Sequence, residues 1–573
     1  MASALEIRWL GRVRYADAEA LQRGLFAGTG NYLLLLEHPE TYTLGVRASM
    51  ANVLTDVVAD GAELVTADRG GDVTYHGPGQ LVGYPILSLP PKRGTGSGMA
   101  DTVAYISAIE DLIISACIDL GLPNVGRIKR CTGVWVDPDG PSPRKIAAIG
   151  VKLTRGRTMH GFAINVDTDV LEGFRRIAPC GIADKGVTSF AAEGVTVSMH
   201  EVVDVIAGKA AAIWGAGGTH RADAVWRTSP DDLAPFSRGA GPGTKALGRL
   251  SAAGVDSSTA VTLSERKPDW LRVKANMGPE YRELKKTVAD LKLVTVCEEA
   301  GCPNIFDCWN DGTATFMILG ERCTRACGFC LVDTRLPEAP DPDEPRRVAE
   351  AVERMRLQHA VITMVARDDL ADGGAAAVAA TVEAIRARTP STRVEVLISD
   401  VKGNRESLAT IFGSRPDVLN HNLETVLRLQ RAVRPSASYA RSLSVLAQGK
   451  AAGLTTKSGI MVGLGESESE VRTTLRDLRS IGVDIVTIGQ YLRPTSTHLP
   501  TARWWTPDEF DGLRSYGEAL GFSHVESSPL TRSSYHAKQG ADAARRSPTP
   551  VAMPVAMPVP VSVSVPSKGR GVS

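Results

Sequence analysis

The sequence predicts an α/β protein of two large units, the second built on a parallel sheet rolled into a full or partial barrel. Three observations carry that reading. From about residue 265, short apolar runs alternate with helical stretches, the pattern of strands joined by crossover helices. A Gly-, Ala- and Ser-rich stretch over 215–264 separates that region from an earlier block of strands and helices. And 43% hydrophobic residues in a chain of 573 is ordinary for a globular protein and too high for general disorder.

The first unit covers residues 1–214. Asn31–His38 (NYLLLLEH) and Leu81–Leu89 (LVGYPILSL) are apolar runs of strand length. Asp101–Leu120 places Val103, Ile106, Ile109, Ile113 and Ile114 at helical spacing, with Asp101 as N-cap and Gly121 and Pro123 as the stop. GVWVD, KIAAIGVKL and HGFAINVD read as three further strands. Residues 215–264 are expected to be a flexible tether, with an r.m.s. span of roughly 40 Å as a coil. In the second unit, 265–540, TFMILG, AVITMV, VEVLIS, DVLNHN, TKSGIMVGLG and DIVTIGQYL are the strands. Pro345–Gln358 and Gly374–Ala387 are among its helices. Reactive loops then belong at the carboxyl ends of the strands. The tail, 541–573, has a proline every few residues and is expected to be disordered or polyproline-like.

Lys plus Arg number 65 against 64 Asp plus Glu, a net charge of +1. That balance argues against a whole-chain nucleic-acid binder. No apolar run approaches the roughly 18 residues that cross a bilayer, so no membrane partner is expected. The first residues lack the apolar core of a secretory signal. The expected address is the cytoplasm, where thiols stay reduced. Nine cysteines there point to metal or catalysis before disulfides. Six of them fall between Cys297 and Cys330, where uniform scattering would put about half of one.

Cys323, Cys327 and Cys330 form C-x3-C-x2-C in GERCTRACGFC, just after the strand TFMIL. Three thiolates on one loop can hold three irons of a [4Fe–4S] cube and leave the fourth open to a small molecule. A zinc site is the alternative, although zinc usually takes paired knuckles and a fourth Cys or His. The triad resembles the signature of radical S-adenosylmethionine enzymes, which implies reductive cleavage of the sulfonium to a 5′-deoxyadenosyl radical. Cys297, Cys302 and Cys308 form a second triad in CEEAGCPNIFDCW, read as a second cluster or as buried structural cysteines.

Together the triads resemble the lipoyl synthase family. CEEAGCPNIFDCW, GERCTRACGFC, ARDDLADGGA, NHNLETV, IGQYLRPTSTHLP and RSSYHA occur in that family's order across 266–540. The resemblance implies two [4Fe–4S] clusters and S-adenosyl-L-methionine, with sulfur inserted at C6 and C8 of an octanoyl chain. It also implies that Ser534 is the fourth ligand of the auxiliary cluster. LISDV stands where many relatives have Pro-Asp, and Arg335 where a Gly is common; neither removes a ligand. Arg367, Asp368 and Asp369 are expected either to help seat S-adenosylmethionine or to be a solvated helix start.

In the first unit, Cys180 sits between Pro and Gly in RRIAPCGIADKGVTS, a turn context that suits a nucleophile. A thiol near pKa 8.5 needs activation, and a neighbouring ammonium such as that of Lys145 lowers that value. A free turn cysteine and a solvated lysine are the plain alternatives. Cys117 and Cys131 read as structural. Arg69–Leu87 adds a glycine-bearing segment with His76 beside a Gly-Pro turn. With EHPETYTLG, KIAAIGVK, HGFAINVD and PCGIADKGVTS, it resembles the octanoyltransferases of lipoate biosynthesis, which have the biotin/lipoate protein ligase fold. The resemblance implies Cys180 as acyl-accepting nucleophile and Lys145 as the residue that lowers its pKa. The matching substrate-binding segments are Arg69, Gly70, Gly71, Asp72, Val73, Thr74, Tyr75 and His76; Ala148, Ile149 and Gly150; and Gly161, Phe162 and Ala163.

The expected protein is therefore bifunctional. Octanoyl passes from octanoyl-acyl carrier protein through Cys180 to the lysine of a lipoyl-carrier domain, and the second unit then inserts two sulfurs. The implied partners are 2-oxoacid dehydrogenase E2 and glycine cleavage H protein domains, and an electron donor such as ferredoxin or flavodoxin. Three rivals stand beside this: an ATP-dependent lipoate ligase in the first unit, an inactive docking module there, or sulfur insertion into another substrate in the second.

Overall fold

Strand β1 (Leu5–Arg12) alternates Leu5, Ile7 and Trp9 with Glu6 and Arg8, and that period of two gives the first unit two different faces. In the computed structural model, residues 3–92, 100–178, 185–225, 244–262, 264–272, 278–295, 304–305, 308 and 313–546 are described. The first unit's other strands are β2 (Asn31–Glu37), β3 (Thr41–Leu44), β4 (Glu63–Thr66), β5 (Val73–His76), β6 (Gln80–Ile86), β7 (Val125–Ile128), β8 (Cys131–Val136), β9 (Arg144–Thr154), β10 (Arg157–Asn165), β11 (Gly186–Val187) and β12 (Thr219–Asp223). They form a sheet ordered β12-β1-β2-β6-β10-β9-β8-β7, with β11 beside β9, and a small sheet β4-β3-β5. Leu5, Ile7, Trp9, Leu33 and Leu35 pack under helices Thr102–Asp119 and Met199–Trp214. The Asp101 side chain accepts from Val103 and Ala104 N–H, the cap that the sequence predicts.

The second unit's strands are β13 (Val294–Thr295), β14 (Thr313–Ile318), β15 (His359–Met364), β16 (Arg393–Leu397), β17 (Val418–Asn420), β18 (Thr455–Val462), β19 (Ile485–Gln490) and β20 (His524–Ser527). They pair in sequence order. β14 to β20 run parallel, and β13 closes one edge antiparallel. This is a partial barrel with crossover helices, as the alternation predicts. Among the described residues no helix is long and apolar enough to cross a membrane.

The two units are not separate bodies on a string. Tyr32, Leu34 and Leu36, the other face of β2, share one apolar core with Leu443, Ala447, Leu475 and Leu478 of the second unit. Helix Tyr15–Ala27 lies along helix Tyr439–Ala451. A Cβ on Gly24 would stand 2.7 Å from that of Ala447, so the helices meet at close range. Within this contact Arg8, 1% exposed, donates to both carboxylate oxygens of Asp477 (3.0 and 2.8 Å). Asp477 also accepts from Tyr439 (2.9 Å), and Glu6 accepts from Arg8 (2.6 Å) and Arg476 (2.9 Å).

Two expectations are corrected. Residues 215–264 are not a tether throughout: β12 pairs parallel with β1, and helix Thr244–Ala252 leads into Leu250, Ala253 and Val255, all buried in the shared core. The sequence hides this because β12 (THRAD) is a short, solvent-facing edge strand without apolar alternation. The tail does not begin at 541 either. Helix Ala537–Arg546 runs past it and buries Ala541 and Ala544 against Val418 and Ile485. Residues 547–573 lie outside the described ones.

Removing one partner of a buried ion pair strands the other charge, at about 3–5 kcal/mol. Asp477→Ala should lower the unfolding free energy of the full chain, read from urea titration, by that order, with a matching fall in the midpoint. Arg8→Met combined with Asp477→Leu should recover most of the loss. Equal midpoints for wild type and Asp477→Ala would show that the pair does not hold the units together.

Candidate functional site

The first unit holds a cavity of about 570 Å³ between β5, β9 and β10. Of the predicted binding residues, Arg69 to Thr74, His76, Ala148 to Gly150 and Gly161 to Ala163 all line it, and so does Lys145. Tyr75 is the exception. Its ring packs on Tyr42 and Phe174 in a separate small core, which Val73 and Phe174 also join although both reach the cavity. Cys131, expected to be structural, lines the cavity instead. Cys117 is buried in its helix, where burial pushes its thiol up to about 12.

The walls are held from behind. Arg69 donates to the Thr43 carbonyl and hydroxyl at 2.7 Å each, and Gly70 N–H to Val151 O at 3.0 Å. A Cβ on Gly150 would sit 2.9 Å from Gly70 O, so the close approach of the Arg69–Gly70 segment to β9 requires glycine there. Asp72 accepts from Asn52 and from Val73 N–H. The Gln80 amide oxygen accepts from His76 Nδ1–H (2.8 Å), and its NH2 donates to Asn165 (3.0 Å).

Lys145 is not a solvated lysine: its ammonium lies 4.7 Å from the centroid of the Trp135 ring, a cation–π distance. Cys180 lies outside the described residues, within 179–184. Both flanks of that segment are fixed beside the cavity. Ala178 N–H donates to Asn52 O (2.8 Å), and Val187 pairs with Lys145.

No spacing in the chain brings together Tyr15, His38, His76 and Tyr84, which cluster at one end of the cavity. His38 bridges Val13 O and the Tyr84 hydroxyl at 2.7 Å each, and its ring centroid lies 5.6 Å from that of His76. Burial pushes His38 down to about 4, against the Val13 carbonyl. It also pushes His76 well below its ordinary value, with His38 adding to the effect. Both rings are neutral near pH 7. Single histidines scattered over 70 residues carry no spacing signal, so only the fold assembles them.

In the second unit Cys323, Cys327 and Cys330 lie on the loop that leaves the carboxyl end of β14, and none of the three is in a disulfide among the described residues. The loop is pinned at several points. Cys323 N–H donates to Asp333 O (2.8 Å), and Gly328 N–H to Val433 O (2.9 Å). Leu499 N–H donates to Gly328 O (3.0 Å), and His498 Nε2 meets Cys330 O at 2.9 Å. IGQYLRPTSTHLP thus acts as the loop's brace. Arg325, between the first two cysteines, forks onto Asp368 (2.8 Å twice) and reaches Asp400 (2.6 Å). The solvated-helix-start reading of Arg367–Asp369 fails: Arg367 is 2% exposed and pairs with Asp369 (2.8 Å), while Asp368 grips the cysteine loop.

Cys297 and Cys302 lie outside the described residues. Cys308 is buried, in a turn where its N–H donates to Asn304 O (2.9 Å). The Asn304 side chain donates to Leu530 O (2.6 Å), which brings this segment beside the turn that carries Ser534. Arg335 is exposed and pairs with Asp333 (2.7 Å). The donor chemistry fits an iron–sulfur cluster: three cysteines on one braced loop at the mouth of a parallel barrel. Burial pushes the Cys327 thiol up to about 11, with Arg434 opposing, and coordination to metal reverses that by holding the thiolate. Among the described residues no group of three or more His, Cys, Asp or Glu side chains is already drawn together around one metal position.

A lipoate-type catalytic domain joined to a radical S-adenosylmethionine barrel is the class that the fold and these sites define. The lipoyl protein ligase A/B catalytic domain family matches residues 14–211, the radical SAM superfamily 317–478, and the N-terminal domain of lipoyl synthase 255–302. The lipoyl synthase of Rubrobacter xylanophilus is 58% identical over 282 residues, 49% of this chain and 88% of that protein. That of Mycolicibacterium paratuberculosis is 56% identical over 278 residues, 48% of this chain and 91% of that one. The chain belongs to the lipoyl synthase family through its second unit, and carries a lipoyl protein ligase A/B catalytic domain in its first. It is a sulfur-inserting enzyme of lipoate biosynthesis that uses S-adenosylmethionine and iron–sulfur chemistry. Among solved structures, lipoate-protein ligase A bound with ATP aligns at 15% identity over 39% of this chain and 89% of that chain, with a TM-score of 0.32. Methylornithine synthase aligns at 14% over 38% and 72%, with a TM-score of 0.30. Both scores are too low to argue from.

The neutral His38 makes a pH prediction. Its folded pKa, near 4, lies below the ordinary 6.5 or so of an unfolded histidine. Between those values the unfolded chain binds the extra proton, so stability is full above about pH 6.5 and falls as pH drops toward 4. The loss is about 3 kcal/mol at most from this group. Denaturation midpoints from pH 7 to 4.5 should fall less steeply for His38→Asn than for wild type. Parallel slopes would exclude His38 as the source.

Proposed function

We propose that the chain makes the lipoyl group in two steps on one polypeptide. The first unit moves an octanoyl group from octanoyl-acyl carrier protein to the lysine of a lipoyl-carrier domain. The second unit converts that chain to lipoyl by inserting sulfur at C6 and C8. The observation that carries the first step is the convergence of Lys145 and three separate predicted segments on one 570 Å³ cavity, a volume within the range of small-molecule sites.

In the first step Cys180 attacks the thioester carbonyl and the carrier thiol leaves, giving an acyl-enzyme. The amine of the carrier-domain lysine then attacks the acyl carbon, forms the amide and releases the Cys180 thiolate. Lys145 favours that thiolate by its charge. Held over Trp135, the ammonium is restrained near the site. Neutral His76, backed by His38, and the apolar walls of Ile149, Phe162 and Ala163 offer a stretch of lining suited to an uncharged hydrocarbon chain. An ATP-dependent ligase would need no Cys180.

Two [4Fe–4S] clusters with S-adenosylmethionine supply, when bound, the radical that abstracts hydrogen from unactivated carbon and the sulfur that replaces it. Cys323, Cys327 and Cys330 would hold one cluster; Cys297, Cys302, Cys308 and Ser534 would hold the other. A serine oxygen is the weakest ligand of that set, and the Asn304–Leu530 bond supports its place beside Cys308. The partners proposed are E2 and H-protein lipoyl domains and a ferredoxin or flavodoxin, in the cytoplasm.

Two measurements test this reading. Cys180→Ala should abolish octanoyl transfer from acyl carrier protein. Lys145→Met should move the acid limb of the kcat/KM profile toward the free-thiol value of about 8.5. Transfer that persists in Cys180→Ala, or that requires ATP and free acid, would replace the transferase with a ligase. Anaerobic reconstitution should give about eight irons per chain, as two cubes require, and Ser534→Ala should keep the first cluster while losing sulfur insertion. About four irons in wild type would remove the second cluster.

A further inference from the structure

Helix Tyr15–Ala27 lies between both sites. Tyr15, on its first turn, lines the acyl cavity, whereas Asp17 faces the second unit and is 3% exposed. The two oxygens of Asp17 accept from Arg14 at 2.9 Å each, and Oδ2 also accepts from Arg441 at 3.1 Å. Arg441 belongs to helix Tyr439–Ala451 of the second unit. Its Nη1 stands 3.7 Å from Asp400 Oδ2. Asp400 is fully buried. Its Oδ1 accepts from Arg325 (2.6 Å) and Lys402 N–H (3.0 Å), whereas its buried Oδ2 has no hydrogen-bond partner. Arg325 closes the chain on Asp368 and donates its own N–H to Cys323 Sγ at 3.4 Å.

The charges therefore alternate without a break from the first unit to the cysteine loop: Arg14, Asp17, Arg441, Asp400, Arg325, Asp368. A buried carboxylate with one oxygen unbonded depends on the cations that face it, and Arg441 is the cation facing that oxygen. Arg441 in turn depends on Asp17. The loop between Asp400 and Asn404 is strained, with φ of +37° at Val401, +54° at Lys402 and +66° at Gly403. A Cβ on Gly403 would meet Arg14 at 2.2 Å, so the first unit packs directly on the strained segment.

We propose that Asp17 of the first unit is a positioning residue for the cysteine loop of the second, acting through Arg441 and Asp400 on Arg325. It rests on the reading that Cys323, Cys327 and Cys330 hold a cluster that binds S-adenosylmethionine. Without Asp17, Arg441 loses its anchor, Asp400 keeps only Arg325 and the Lys402 N–H, and Arg325 shifts away from Asp368 and carries the backbone between Cys323 and Cys327 with it. Octanoyl transfer does not involve Asp17, which lies outside the cavity lining.

The test uses the full chain, reconstituted with iron and sulfide without oxygen. Electron paramagnetic resonance of the reduced protein is recorded with and without S-adenosylmethionine. In wild type, adding S-adenosylmethionine should shift the g-values. In Asp17→Asn, at unchanged iron content and octanoyl transfer, the shift should be lost or broadened. 5′-Deoxyadenosine formation should fall about fivefold or more, the usual lower end of a coupling effect. Asp17→Glu should restore both. Arg441→Gln, on the other side of the contact, should reproduce the loss and decides the matter if Asp17→Asn misfolds. Spectra of Asp17→Asn and Arg441→Gln that superimpose on wild type overturn the inference. A wild-type chain that takes up no iron overturns the cluster reading first, and this inference with it.

Discussion

The buried pair between Arg8 and Asp477 sets how the molecule is built. A guanidinium 1% exposed cannot remain in that position without its carboxylate. Asp477 is 469 residues away in the chain. The pair therefore exists only when the two units are docked. Around it Glu6, Arg476, Tyr439 and Tyr32 spend their polar atoms on the same contact. Buried charge of this kind adds little net stability over an apolar contact of equal shape. Its effect is on orientation: the fork of Arg8 on Asp477 fits one rotation of the first unit against the second, which an oily interface alone would leave free.

That fixed docking explains a feature of β2. NYLLLLE has apolar residues on consecutive positions, which a strand with one wet face would not carry. Leu33 and Leu35 enter the first unit's own core, while Leu34 and Leu36 enter the core shared with the second. The continuous run marks a sheet covered on both sides, and the second cover is the barrel itself. A tether would have left Leu34, Leu36 and Tyr32 in water. Close docking also holds the first unit's cavity at a set distance and angle from the cysteine loop, rather than within the volume swept by a coil.

What the sequence made legible was whatever depends on near neighbours. The Asp101 cap, the strand runs of the barrel and the two cysteine triads are written in spacing, and the structure places the described ones where that spacing puts them. The Arg69, Ala148 and Gly161 segments were legible through their motifs and meet in one cavity. Tyr75 was misplaced because Tyr42 and Phe174 take up its ring, a tertiary contact that a run of consecutive motif residues does not encode. β12 was missed because an edge strand facing water needs no apolar pattern. The His38, His76, Tyr15 and Tyr84 cluster was illegible for a different reason. Each is a common residue in an unremarkable context, and only the sheet brings them within one site. The same holds for Asp17, Arg441 and Asp400, whose roles arise from a contact between units.

The two sites also differ in how the fold secures them, and the difference follows from their chemistry. The first unit's cavity is lined by strands, with Arg69 and Gly150 locking the wall through backbone contacts, an arrangement that fixes shape. The cysteine loop is suspended above the strand ends and gripped by side chains: His498 at Cys330, Asp368 and Asp400 at Arg325. A cluster must be accepted by a loop that can open to receive it and then hold three thiols in fixed positions. Ionic forks suit that task better than a packed core, since they fix direction while leaving the loop accessible. The cost of the design is that such a loop takes its geometry from charges elsewhere. In this chain that line of charges continues across the interface to Asp17.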